Sequence, residues 1–157
     1  MNDLAIYQGV LYKNPNPIIG AVIAMGSNDN ADRAFAVAVE LLGQLGNIWL
    51  SDIGISPDFT QKTTHIYHNA CMQISLTVPM NFTELKHTLK AIESHCGRKQ
   101  TVDSFSLVAM DLDILAVRYQ ADNLAWHISQ KRLPFKAHEK LGLAQIAPFL
   151  LGVNGWG

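Results

Sequence analysis

The chain has 157 residues, of which 48 % are hydrophobic and 16 % charged, and its formal net charge is −1. That length suits one domain burying roughly 68–70 % of its unfolded surface, and the apolar share excludes wholesale disorder. The near-neutral balance argues against a broad nucleic-acid footprint, although a local basic pocket remains compatible with it.

Cys71 and Cys96 are the two cysteines. Neither sits in a Cys-x-x-Cys pair or a zinc-type spacing, so each is expected as a buried thiol. The opening residues carry no basic leader followed by an apolar run, and no apolar stretch approaches the roughly 18 residues that span a bilayer. A soluble, cytoplasmic protein is expected, with no membrane or nucleic-acid partner.

Residues 1–17 contain two short apolar pieces, Leu4-Ala5-Ile6-Tyr7 and Val10-Leu11-Tyr12, before Asn14-Pro15-Asn16-Pro17 enforces an extended turn. They are expected as an N-terminal extension to a domain over 18–157. Residues 18–25 are almost continuously apolar, the pattern of a strand buried on both faces. Gly26-Ser27-Asn28 ends that strand, and Asn28 or Asn30 can cap the next helix. There Phe35, Ala38, Val39, Leu42 and Leu45 recur with helical spacing, and Gly46 is the stop.

A second strand fits residues 48–56, and a polar loop runs to 64. The third fits 65–78, where Ile66, His68, Ala70, Met72, Ile74 and Leu76 share one face while Tyr67, Asn69, Cys71, Gln73 and Ser75 share the other. Asn81 and Glu84 form a capping-box pattern, and Leu85, Leu89, Ile92 and Cys96 give the second helix its apolar stripe before Gly97. A loop then leads to a fourth strand over 106–117. The order β-α-β-β-α-β predicts an α+β, ferredoxin-like sandwich, an antiparallel sheet with helices packed on one face and the other face partly open. Residues 118–157 predict an irregular C-terminal segment with a short strand near 124–128.

Asp111 and Asp113 are the most informative pair. Two-residue spacing on a strand sends both carboxylates to one side, opposite Met110, Leu112 and Ile114. Such neighbours repel unless a cation neutralises them, and hard oxygen ligands suit Mg²⁺, which takes its remaining ligands from water and substrate phosphates. The alternative is a pair of solvated acids on an exposed strand face. Tyr67 and Asn69 repeat the spacing on the third strand, an aromatic face beside an amide that can hold a planar heterocycle. Ordinary cross-strand packing is the alternative there. The six histidines form no ligand cluster in sequence.

Gly26-Ser27-Asn28, Tyr67-His68-Asn69-Ala70 and Asp111-Leu112-Asp113-Ile114, in this order and spacing, resemble the signature of 6-hydroxymethyl-7,8-dihydropterin pyrophosphokinases. Ile92-Glu93 followed by Gly97-Arg98 resembles the family's helix that ends in a glycine-arginine step, and Gln145-Ile146-Ala147-Pro148 is a weaker match near the end. The resemblance implies transfer of diphosphate from ATP to the hydroxymethyl group of a reduced pterin, with release of AMP, as a step of folate biosynthesis. It implies Mg²⁺ on Asp111 and Asp113, and Arg98 as the first arginine of a mobile catalytic loop. Ser56, Pro57, Phe59, Tyr67 and Asn69 would wall the pterin, Phe105 would cover its other face, and Lys90, Glu93 and Ile114 would contact ATP.

The chain departs from the family at basic positions. Where the family reads Arg-Thr-Leu-Asp-Leu-Asp, this sequence has Val108-Ala109-Met110-Asp111-Leu112-Asp113, and the family's Pro-His step is Pro134-Phe135. The loop after Gly97 has also lost a second arginine and gained Asp103. Lys99, Arg118, Arg132, Lys136 and Lys140 are candidates to supply the missing charge. A Mg²⁺-dependent pyrophosphokinase is therefore expected, with ATP and the pterin as small-molecule substrates. The alternatives are a weakened or inactive homologue that binds a pterin, nucleotide or protein partner, and another metal-dependent nucleotide enzyme on the same frame.

Overall fold

Apolar residues at nearly every position of 18–25 leave a strand no solvent-facing side, and in the computed structural model this segment is the centre of the sheet. The structure describes residues 4–57, 66–97, 100–102 and 105–152, with side chains omitted at 100–102 and 105–106. In chain order the elements are β1 (Ala5–Gly9), β2 (Ile18–Ser27), α1 (Ala31–Gly43), β3 (Gly46–Leu50), β4 (Gly54–Pro57) and β5 (Ile66–Met80). They continue with α2 (Phe82–Cys96), β6 (Gln100–Val102), β7 (Phe105–Leu107), β8 (Asp111–Tyr119), β9 (Asp122–Ser129) and α3 (Ala137–Ile146).

Seven described strands form one sheet in the order β1-β9-β8-β2-β5-β3, with β4 pairing further along β5. The inner order β8-β2-β5-β3 with α1 and α2 as crossovers is the ferredoxin-like arrangement the sequence predicts, and its strand pairs are antiparallel. β6 and β7 form a separate hairpin. β1 runs parallel to β9 at the edge, so residues 5–9 are part of the sheet. No helix among the described residues is long and apolar enough to cross a membrane.

α1 and α2 bury Phe35, Ala38, Leu42, Leu85, Leu89 and Ile92 against the face of the sheet that carries Ile23, Met25, Met72 and Ile74. Asn81 caps α2 as a full capping box: its Oδ1 accepts from Glu84 N–H at 2.8 Å, and Glu84 Oε1 accepts from Asn81 N–H at 3.0 Å. At α1 the expected side-chain cap is absent. Asn30 takes the cap position in a left-handed conformation without a capping bond, while Asn28 Oδ1 accepts the Val108 N–H at 2.6 Å. That bond ties the end of β2 to the entry of β8, a job the helix end would otherwise have claimed.

The expected strand over 48–56 is two strands. The Ser51 N–H donates to the Cys71 carbonyl at 2.9 Å, but the Cys71 N–H is accepted by Ser51 Oγ at 2.8 Å in place of a backbone carbonyl, and Asp52 turns to Gln145. The C-terminal segment is more regular than predicted, and helices lie on both faces. β9 covers 122–129, and α3 packs on the second face of the sheet with Cys71, Val22, Leu115, Trp126, Leu143 and Leu150 in a separate core. α3 lies over Cys71 and Gln73, whose Nε2 donates to the Ile146 carbonyl at 2.6 Å, and leaves Tyr67 and Asn69 beside its first turn.

This contact works because Gly142 faces Cys71: a Cβ there would stand 2.7 Å from the thiol sulfur and 2.8 Å from its Cβ. Gly142→Ala gains about 1 kcal/mol of helix propensity and loses about 1–3 kcal/mol to overpacking, so the melting temperature should fall. Burial, and secondarily Glu139, pushes the Cys71 thiol up from 9.0 to about 12. The folded protein should therefore resist Ellman's reagent at pH 8 until it is denatured. An unfolded thiol ionises from about pH 9 and the folded one only near 12, so this group makes the fold less stable as pH rises across that window.

Candidate active site

Strand register brings the site residues together. Gly26 of β2 pairs with Asp111 on one side and Asn69 on the other, and Ala24 pairs with Asp113 and Cys71. Across β5, Ser56 of β4 pairs with Tyr67. Facing positions in paired strands point to the same side of a sheet, so Asp111, Asp113, Asn69 and Tyr67 share one face. β2 contributes only Gly26 and Ala24 between them, and a Cβ on Gly26 would already stand 3.4 Å from Asn69 Oδ1. Small residues on the central strand thus form the floor of a cleft.

The cleft encloses about 250 Å³ and is lined by Ser56, Pro57, Tyr67, Asn69, Asp111 and Asp113 together with Lys136, His138 and Glu139 of the α3 entrance. Asn69 Nδ2 donates to Ser56 Oγ at 2.7 Å, which fixes the amide with its oxygen available to the cleft side. Lys136, His138 and Glu139 are the lining residues that sequence pattern missed as a group, since a segment read as irregular gives no reason to fold them onto β5. Burial is the first cause holding His138's proton affinity below its ordinary value; Glu139 raises it and Lys136 lowers it further.

A second, smaller cavity of about 50 Å³ lies on the far side of Asp113, lined by Lys86, Lys90, Glu93, Leu112, Ile114, Lys131 and Arg132 among others. The structure thus gathers Lys90, Glu93 and Ile114 around one cavity with Lys86, Lys131 and Arg132. Glu93 Oε2 accepts the Leu112 N–H at 2.7 Å while Oε1 stands 3.4 Å from Lys90 Nζ, so its carboxylate clamps α2 to the strand that carries both aspartates. Arg132 pairs with Asp113 at 3.0 Å, and its Nε is buried with no hydrogen-bond partner among the described residues. Lys131's proton affinity is held down first by burial and then by Lys86 and Arg132, with Asp113 opposing.

Asp111 and Asp113 offer hard oxygen donors to the larger cleft, and Asp113 borders the smaller cavity as well. Among the described residues no group of three or more His, Cys, Asp or Glu side chains lies close enough together to hold a metal. Two carboxylates with open space suit a hard divalent cation that keeps water and phosphate ligands, so the donor set fits Mg²⁺. Phe59 and Arg98 lie outside the described residues, and Phe105 opens β7 with its side chain likewise outside the description.

The family model for 7,8-dihydro-6-hydroxymethylpterin-pyrophosphokinase matches residues 22–148. The chain belongs to this family. No curated protein matches it. Family membership carries the general role of a pyrophosphokinase in folate biosynthesis. At the positions where the pterin pyrophosphokinase pattern is basic, Val108 is buried and bonded through its backbone to Asn28, and Phe135 is buried in the core beneath α3. Neither lines the two cavities just described.

Glu93 is the residue on which the placement of β8 can be tested. Glu93→Ala leaves the Leu112 N–H without its acceptor and should cost about 1–3 kcal/mol in urea unfolding, whereas Glu93→Gln retains an acceptor oxygen and should recover most of that loss.

Proposed function

We propose that the protein transfers diphosphate from ATP to 6-hydroxymethyl-7,8-dihydropterin, with Mg²⁺ held by Asp111 and Asp113. The observation that carries this reading is that Asp113 borders both a cleft walled by Tyr67, Asn69, Ser56 and Pro57 and a cavity ringed by Lys86, Lys90, Lys131 and Arg132. An acceptor heterocycle in the first and a triphosphate in the second would meet at the aspartates. Bound Mg²⁺ would neutralise phosphate charge and favour ionisation of the attacking hydroxyl.

The chain's own residues do the positioning. Tyr67 presents an aromatic surface to the pterin and Asn69 a fixed amide, so the hydroxymethyl group is held toward Asp111 and Asp113. In the reaction the hydroxymethyl group gives its proton to water, its oxygen bonds to the β-phosphorus as the bond from that phosphorus to the α,β-bridging oxygen breaks, and AMP leaves with that oxygen. Arg132 can exchange Asp113 for a phosphate oxygen, and its buried Nε then gains a partner. Phe59 and Phe105 complete the pterin enclosure and Arg98 the phosphate clamp in this proposal, on the strength of the family pattern. Residues 1–17 serve as an extension whose strand closes the sheet edge beside β9.

The buried Val108 and Phe135 favour a second reading, a homologue that retains binding and has lost turnover. Phosphoryl-type transfer depends on cancelling charge, and a single arginine can be worth about 10³–10⁵ in rate. An HPLC assay for AMP with Mg-ATP and the hydroxymethyl-dihydropterin separates the two. The expected outcome is pterin-dependent AMP that falls by at least about 10²-fold in Asp111→Ala. Pterin binding without AMP at high enzyme concentration would establish the second reading instead.

A further inference from the structure

Glu139 is only 5 % exposed yet lines the cleft that carries Tyr67 and Asn69. Its Oε1 accepts the Lys136 N–H at 2.9 Å, closing the first turn of α3. Capping alone does not call for burial, because Glu84 makes the corresponding bond for α2 at 3.0 Å from an exposed position. Nor does a metal account for it, since Glu139 forms no three-residue ligand group with Asp111 and Asp113. A carboxylate sequestered in a cleft is costly unless donors meet it, and such groups are retained where a ligand brings the donors.

The neighbouring wall narrows the chemistry. Asn69 Nδ2 gives one of its two N–H donors to Ser56 Oγ, and the amide's oxygen adds an acceptor to this wall. α3 is held on β5 at this level by the Cys71 thiol, which donates to the Glu139 carbonyl at 3.6 Å, and by the close approach at Gly142. An acceptor-rich wall of Asn69 and Glu139 suits a planar ligand edge that carries adjacent N–H donors. We infer that Glu139 is a specificity-determining residue whose carboxylate receives the exocyclic amino group and adjacent ring N–H of a 2-aminopyrimidinone, the donor edge of a pterin. The pairing is charge-assisted and planar, the geometry in which carboxylates discriminate most strongly. This inference rests on the pterin reading of the cleft.

The test is binding, without turnover. Fluorescence titrations of the full chain compare 6-hydroxymethylpterin with its 2-oxo counterpart, a lumazine, alongside Mg²⁺ with a non-hydrolysable ATP analogue. Wild-type protein should prefer the 2-amino compound by about 10²-fold or more, because a site built to bond a substrate donor rejects the analogue that lacks it. Glu139→Gln keeps an oxygen for the Lys136 N–H. It should weaken pterin binding by about 10–100-fold, shift preference toward the lumazine, and leave nucleotide affinity and melting temperature near wild type. Should that variant unfold, Glu139→Asp keeps the charge but draws the carboxylate back by one methylene, and it should weaken pterin binding in the same direction. Pterin affinity and preference unchanged in a folded variant would overturn the inference alone, leaving Glu139 as a helix cap. Wild-type protein that binds neither heterocycle would overturn the pterin reading and this inference together.

Discussion

The register of β2 between β5 and β8 is the constraint from which the site follows. Because side chains alternate along a strand, a slip of one residue would turn Asp111, Asp113, Asn69 and Tyr67 into the helix-covered core and Met25, Leu112 and Ala70 out of it. The register is pinned from both faces. Met25, Met72 and Ile74 are buried under α1 and α2, while Val22 and Cys71 are buried under α3. With both faces committed to apolar burial, the polar row across Asp111, Gly26 and Asn69 has one place to go, the end of the sheet that α3 leaves open. Gly26 and Ala24 then matter for what they omit, since any larger side chain on β2 would fill the cleft floor.

The aspartates pose an electrostatic problem that the fold answers by distributing cations on neighbouring elements. Asp113 is met by Arg132 from the turn after β9, and further positive charge comes from Lys86 and Lys90 on α2 and from Lys131. The Arg132 pair has its side chains 29 % and 41 % exposed, so it contributes only about 0–1 kcal/mol to stability. A pair that weak suits a site in which the partner must be exchanged. The stronger tie is the 2.7 Å bond from the Leu112 N–H to Glu93, which fixes the backbone between the two carboxylates.

Much of the frame was legible in the sequence because each element has an unambiguous apolar period. The 18–25 run, the Phe35-to-Leu42 part of the stripe, the alternation from 66 to 76 and the Asn81/Glu84 box lie in the elements they predict, while α1 ends at Gly43, before Leu45. The i, i+2 pairs Tyr67/Asn69 and Asp111/Asp113 likewise face one cleft, because strand geometry alone dictates it. What could not be read was the consequence of tertiary contacts. Ser51 breaks a strand by bonding Cys71 with its hydroxyl, and Asn28 leaves the helix cap for Val108. α3 has almost no amphipathic signature because it is buried on one side by Gly142 and Leu143 and borders the cleft through His138 and Glu139 on another. A helix whose environment is part core and part open cleft has no single periodicity to announce it.

The same geometry bears on the missing basic residues. An arginine at 108 would have to leave a buried position beside Asn28 to reach phosphate, and a histidine at 135 would have to leave the core under α3. The positive charge around the smaller cavity instead enters from α2 and from the turn after β9, while Lys136 lines the larger cleft. Three of those four cations are lysines, point charges on flexible stems without arginine's planar fork, so they neutralise phosphate well and orient it poorly. Lys131's proton affinity is held down by burial and by Lys86 and Arg132, with Asp113 opposing. Among the described residues, orientation in the proposed reaction therefore falls on Arg132, the one fork in that ring, with its buried Nε and its bond to Asp113, beside the part the family pattern gives to Arg98.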